Sequence, residues 1–353
     1  MGSREAPARV LAPEGWLSLP LRSLGLAFLI GVAVAVPLPS RSAEKKHGPM
    51  ARRPLPARSW QQLTDAGVDA YEAGQFAEAA RLLKAAVQQA ESFGTNDPRR
   101  GDSYRNLASL YTAEHKLALA EPLFVRALAI YRKTVGPEHL DVARTFNGLA
   151  TLYSFQKQWD RAEPVYRQAL GLYQKLRGPE HADVARVLNN LATVADARGK
   201  TEEAEQYYRR ALQVYEEVEG AEGRDVATSL NNLAELFRTQ GKYAEAEPLY
   251  QRAVRIWEKV VGPKHPSLAM TLSNLSLLYQ AKGKYAEAES LLKRSLLIQE
   301  QVMGRDHPDV ALTLESYAGL LVKMGRGPEA ARLTARAHSI RGSQTRQHPV
   351  PRR

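Results

Sequence analysis

Apolar residues recur at helical spacing through most of this chain, and the pattern resets every 42 residues. In the clearest stretch, Leu230, Leu233, Ala234, Leu236 and Phe237 mark one face of a first helix. Gln240-Gly241-Lys242 then reads as a helix C-terminus and tight turn. Tyr243, Ala246, Leu249, Tyr250, Ala253 and Ile256 mark a second helix, which Gly262-Pro263 ends. The unit is helix A, turn, helix B, turn. Its punctuation repeats as Gly136-Pro137-Glu138-His139, Gly178-Pro179-Glu180-His181, Gly262-Pro263-Lys264-His265 and Gly304-Arg305-Asp306-His307. One copy has lost the phrase but keeps the phase, with Asp225-Val226 lying 42 residues after Asp183-Val184. A fixed period of this size means stacked supersecondary units rather than one globular core. The expected architecture is all-α, over residues 60–340, in about seven units: 60–93, 94–135, 136–177, 178–219, 220–261, 262–303 and 304–340.

Three columns of small residues give the stack its packing logic. Helix A carries Ala108, Ala150, Ala192, Ala234, Ser276 and Ala318. Helix B carries Ala120, Ala162, Ala204, Ala246, Ala288 and Ala330, and again Ala127, Ala169, Ala211, Ala253, Ser295 and Ala337. Helix axes approach to about 8–10 Å only where contact side chains are small. Tyr111, Tyr153, Phe237 and Tyr279 on helix A, and Phe124, Tyr166, Tyr208 and Tyr250 on helix B, fill the flanking space. The first unit is out of phase by one residue at Phe76, and the last fades after Gly327-Pro328 into a short Ala/Arg helix. Atypical ends are what a capped array requires.

Leu-Asn-Asn-Leu-Ala at 188–192 and 230–234, Gly-Lys-Tyr-Ala-Glu-Ala-Glu at 241–247 and 283–289, and the 42-residue spacing resemble tetratricopeptide repeats. They resemble the long variety of kinesin light chains, eight residues longer than the ordinary 34-residue unit. The resemblance implies a right-handed superhelical solenoid whose helix A residues line a concave groove for peptides or partner segments. The polar positions just before the helix A alanine are then the candidate site. One column is Arg105, Asn147, Asn189, Asn231, Ser273 and Glu315; its neighbour is Asn106, Gly148, Asn190, Asn232, Asn274 and Ser316. Mid-helix Asn costs about half a kcal/mol against Ala. Its amide both donates and accepts, so a ladder of it can pair with a ligand's main chain. The competing reading is that these amides bond to the next helix or descend from duplication. Arg144 and Arg186, one turn before the ladder, and Arg105 within it would favour an acidic ligand, an idea that Asp102, Asp196 and Glu235 dilute.

Charge and composition narrow the function classes. The net charge of +11 suggests nucleic acid until it is divided. Residues 1–60 hold nine Lys/Arg against three Asp/Glu, and residues 341–353 hold four Arg and no acid. The repeats are left with 36 basic and 35 acidic residues, without the basic excess that a nucleic-acid footprint needs. No cysteine is present, which removes thiolate metal sites, disulfides, a cysteine nucleophile and a lipobox. His139, His181, His265 and His307 sit on successive inter-repeat turns, too far apart to converge on a metal, and read as helix-start residues. Gly199-Lys200-Thr201 lacks the glycine that a phosphate loop needs at Val194. No His-Glu-x-x-His, Gly-x-Ser-x-Gly or paired-carboxylate setting is found, so neither a cofactor nor a catalytic role is expected.

Leu24 to Leu38 is free of charge, follows Arg4, Arg9 and Arg22, and contains Ala33-Val34-Ala35 in small-x-small form. Residues 1–35 read as a secretory signal peptide, with an uncleaved membrane anchor as the alternative. Residues 36–59 read as a disordered, basic, Pro-rich linker and 341–353 as a disordered basic tail. The expectation is an exported scaffold, periplasmic or secreted, that binds a protein or peptide, without nucleic acid and with no membrane contact beyond the N-terminal segment. The alternative is an envelope-anchored assembly protein that self-associates through its ends or convex face.

Overall fold

The computed structural model describes residues 59–347. The segments read as signal peptide and linker lie outside the described residues, apart from Ser59. The described residues are helical hairpins and contain no strand. They fall into two compact units, and the boundary lies after Leu172. The first holds α1 (Trp60–Glu72), α2 (Phe76–Ala90), α3 (Pro98–Ala113), α4 (Leu117–Thr134), α5 (Leu140–Phe155) and most of α6 (Trp159–Arg177). The second holds α7 (Ala182–Ala197), α8 (Thr201–Glu219), α9 (Arg224–Thr239), α10 (Tyr243–Val260), α11 (Pro266–Ala281), α12 (Tyr285–Met303), α13 (Pro308–Lys323) and α14 (Gly327–Gln347). Odd-numbered helices are helix A and even-numbered ones helix B. In the first unit α1 packs on α2 and α3 on α4; in the second, α7 packs on α8, α9 on α10, α11 on α12 and α13 on α14.

All three small-residue columns are buried, with Ala150, Ala192, Ala234, Ser276, Ala246, Ala253 and Ser295 each fully so. The flanking aromatics close over them: around Ala192, Ala204, Ala234 and Ala246 stand Tyr208, Phe237 and Tyr250. Gly148 breaks the amide column for a steric reason. A Cβ there would lie 2.7 Å from the Phe124 ring, which fills the space that a side chain at this position would take.

The turns explain the punctuation. After each helix A the chain passes through one left-handed residue, Gly74 (φ 70°), Gly199 (78°), Gly241 (75°), Gly283 (73°) or Gly325 (75°), and in two repeats His115 (56°) or Lys157 (57°). The following residue then donates backward across the helix end, as Lys242 N does to Phe237 O at 2.9 Å and Lys284 N to Tyr279 O at 2.8 Å. This arrangement satisfies carbonyls that a helix C-terminus otherwise leaves bare. The four motif histidines are N-caps of helix A, as their placement on the chain suggested. Nδ1 of His139, His181, His265 and His307 accepts from the backbone N of Asp141, Asp183, Ser267 and Asp309 at 3.0–3.2 Å. At the start of α9, where no histidine stands, Glu219 takes over: its Oε2 accepts from Asp225 N at 3.2 Å. Burial and the nearby Asp225 push the Glu219 carboxyl up to about 7.

Ion pairs repeat with the same period on helix B. Arg252 meets Glu216 at 2.6 Å, Arg294 meets Glu258 at 2.6 Å and Arg336 meets Glu300 at 2.5 Å, each arginine reaching back 36 residues to the preceding repeat. The last helix departs from expectation. In place of a short helix, α14 runs to Gln347, seven residues into the segment read as a tail. No proline interrupts the run between Pro328 and Pro349, and Ala337 and Ile340 bury against Val310, Ala311 and Leu314. No helix among the described residues is long and apolar enough to cross a membrane.

Candidate peptide-binding face

The helix A register places the ladder. In the first unit, α3 carries Arg105 and Asn106, and α5 carries Arg144 and Asn147. In the second, α7 carries Arg186, Asn189 and Asn190, α9 carries Asn231 and Asn232, and α11 carries Asn274. The ladder residues are buried, whereas Arg144 and Arg186 keep part of their side chains at the surface. Adjacent repeats are stitched through these amides. Asn189 Nδ2 donates to Ser229 Oγ at 2.8 Å, and Asn274 Nδ2 donates to Asn231 Oδ1 at 3.1 Å. The amides of α7, α9 and α11 therefore form a cross-repeat row within the second unit. One acceptor in that row is left over: Asn189 Oδ1 is buried and has no hydrogen-bond partner.

The arginines behave differently from the amides. Arg105 is buried to 2 % exposure and lies over the Tyr131 ring. It donates to Asp102 at 2.7 Å and to Asp141 at 2.8 Å. Tyr131 Oη also donates to Asp102 at 2.7 Å. Arg144 joins the same cluster, donating to Asp141 at 3.1 Å, and Arg186 donates to Asp183 at 2.7 Å. Burial raises the Asp102 carboxyl above the ordinary range. Burial acts the same way on Asp141, but there Arg105 and Arg144 outweigh it and hold the carboxyl below that range. Each of the three arginines thus has an internal carboxylate. The cluster on α3 and α5 is a closed ionic network joining two repeats, rather than a set of cations waiting for an acidic ligand.

One pairing was not anticipated from the sequence. Thr151 and Tyr166 share a hydrogen bond at 2.9 Å between helix A and helix B, and Thr193 and Tyr208 do the same at 2.9 Å. In the next repeat Tyr250 Oη donates to Glu235 at 2.5 Å, and Glu235 is held in turn by Arg238 Nε at 2.7 Å. Burial, then Glu235, pushes the Tyr250 hydroxyl pKa well above its usual value. One repeat further on, Leu277 and Leu292 occupy both positions. The signal was present as a 15-residue spacing in which a polar residue on helix A accompanies Tyr on helix B.

Comparison with known proteins agrees with this architecture. The tetratricopeptide repeat family model matches residues 63–133, 102–175, 141–217, 225–296 and 267–343, and a second tetratricopeptide repeat model matches 189–260. Among solved structures, BtubC (BKLC) from P. vanneervenii is 27 % identical, over 70 % of this chain and 92 % of that one, with a TM-score of 0.51. A single-residue variant of a Podosopora anserina putative kinesin light chain with nearly identical TPR-like repeats is 24 % identical, over 60 % of this chain and 98 % of that one, at 0.50. A Rap protein complexed with competence and sporulation factor is 18 % identical, over 82 % and 76 %, at 0.59. No curated protein matches in sequence. With 42-residue helical hairpins, buried small-residue columns and family matches over most of its length, the chain belongs to the tetratricopeptide repeat family.

Proposed function

We propose that this protein is a non-enzymatic interaction scaffold, and that its helix A face takes an extended peptide or a segment of a partner protein. The observation that carries the reading is Asn189. Its Nδ2 is committed to Ser229, while its Oδ1 is a buried acceptor with no partner. A buried acceptor left bare costs on the order of 1–3 kcal/mol, and a bound segment would satisfy it with a main-chain N–H once the Asn189 amide turns outward to meet it. Asn190, Asn231, Asn232 and Asn274 extend the same face with groups that donate and accept alike. The family supports the coarse part of this reading; the ladder as contact surface is our assignment. A setting outside the cytoplasm is part of the proposal, resting on the uncharged Leu24–Leu38 run behind Arg4, Arg9 and Arg22.

The test is affinity capture from envelope and secreted fractions with the full chain as bait, beside an Asn147/Asn189/Asn231→Ala triple variant. Circular dichroism melting first establishes that the variant is folded. Partners held by the wild type and lost by a folded variant would establish the ladder as the contact. Partners held equally by both would remove it.

A further inference from the structure

The repeats serve as their own controls, and α4 departs from the rest. Position 119 is Leu, where the later helix B copies carry Arg161, Glu203, Glu245, Glu287 and Glu329. Position 125 is Val, where they carry Arg167, Arg209, Gln251, Lys293 and Ala335. Leu119 is 53 % exposed and Val125 51 %, and Ala118, Pro122 and Ala129 are exposed with them. At 100° per residue these five positions span about 120° of the helix, and over its first two turns, from Ala118 to Val125, that arc carries no charge.

The ionic pattern breaks on the same face. Arg126 occupies the arginine position of the ladder formed by Arg252, Arg294 and Arg336, but the residue 36 places earlier is Ala90. Arg132 stands where Glu216, Glu258 and Glu300 stand later. Arg126, Arg132 and Lys133 are exposed and form no ion pair among the described residues; Arg126 lies near the Tyr104 ring and Arg132 near the Phe146 ring. By the same helical angles, Arg126 and Lys133 fall inside this arc, between Pro122 and Leu119 but further along the helix, and Arg132 lies just beyond Val125, so the cations stand at the C-terminal end of the uncharged patch.

We propose that the outer face of α4 is a second docking surface, separate from the helix A ladder, and that it takes an amphipathic helix with carboxylates flanking an aliphatic row. An outward helix face offers no free backbone groups, so recognition here passes through side chains. A partner that presents apolar groups at three- and four-residue spacing along such a stripe is itself a helix. The unmatched cations at the end of the patch and just beyond Val125 select carboxylates beside the partner's aliphatic row. The same cations weigh against a symmetric pairing of two copies through α4, which would set like charges against each other. A single helix face is smaller than a stable interface needs, so the contact is transient.

The test uses the full chain and a fluorescent, end-blocked 18-residue peptide with Leu at i, i+3, i+7, i+10 and i+14 and Glu on both flanks. A control peptide has Lys for Glu. The variant Leu119→Glu/Val125→Arg installs residue types that the other repeats already carry at these exposed positions, so its melting should match the wild type. Binding of the Glu peptide to the wild type, weakened about tenfold or more in the variant and absent for the Lys peptide, is the expected result. Equal binding of the Glu peptide to both proteins, no binding to either, or equal binding of both peptides would overturn the proposal. So would concentration-dependent mass of the wild type that the variant loses, because a second copy would then be the occupant.

Discussion

At the level of single residues, the array shows where its own rules are broken. Most helix A ends use glycine in the left-handed region, and Lys157 holds the same φ of 57° with a side chain. That backbone conformation costs a non-glycine residue about 1–2 kcal/mol, less what glycine loses in unfolded-chain entropy. Lys157 is exposed, and among the described residues its side chain makes no hydrogen bond or ion pair that glycine would forfeit. Lys157→Gly should therefore stabilise the protein by about 0.5–1 kcal/mol, read as a rise in the urea midpoint at unchanged m. An unchanged or lower midpoint would remove the strain argument. His115 shares the geometry but packs edge-on against Phe155 at 5.3 Å, so the same change there would lose a ring contact as well.

At the level of the element, a helix start depends on the protonation of its cap. A histidine whose Nδ1 accepts a backbone N–H must be unprotonated at that atom. His139 and His181 each have an aspartate carboxylate beside Nδ1, at 3.2 and 3.4 Å. His265 has Ser267 in that place and stacks on the Trp257 ring. Burial, and then Arg224, lower its pKa. The folded protein thus holds fewer protons than the unfolded chain. The stability this cap contributes is present above the ordinary imidazole value of about 6.5 and is lost as pH falls from there through the lower folded value. Losing the cap costs about 1 kcal/mol. His265→Asn keeps a capping oxygen that does not titrate. The fall in unfolding free energy between pH 7.5 and 5 should shrink by about that amount in the variant. Identical pH profiles for the two proteins would show that the cap is not titrating.

Across the whole molecule, stability passes from one repeat to its neighbour, and the buried contacts matter more than the exposed ones. Exposed pairs such as Lys259 with Glu222 contribute at most a few tenths of a kcal/mol. Arg105, by contrast, holds Asp102 of its own repeat and Asp141 of the next from a buried position. Arg105→Ala leaves Asp102 without a cation and Asp141 with Arg144 alone, and should cost about 3–5 kcal/mol by chemical denaturation, whereas Arg144→Ala, nearer the surface, should cost far less. Equal costs would mean that Asp141 is held mainly by Arg144. Much of this was legible beforehand. The period, the hairpin and the small-residue columns follow from spacing alone, because each is a rule applied in every copy. The ionic network around Arg105 and the Thr–Tyr pairs were not, since they depend on which side chains face each other across a helix interface. The amide ladder was visible as a column, but spacing carries no information on partners. That Asn274 reaches Asn231, while Asn189 keeps a bare acceptor, required coordinates.

The backward reach of the helix B arginines also bears on how such a chain changes length. Each arginine meets a glutamate 36 residues earlier, and each unit between residues 94 and 303 is 42 residues long. If residues 220–261 were excised as a block, Glu258 would go with them, and Glu216 would arrive at the distance in sequence from Arg294 that Glu258 had held. The join would also bring Gly262 directly behind Glu219, closing the preceding helix as Gly220 did before. An in-frame loss or gain of one whole unit would therefore be read by its neighbours as nothing having changed, whereas a shift of a few residues would unpair every lateral contact at the seam.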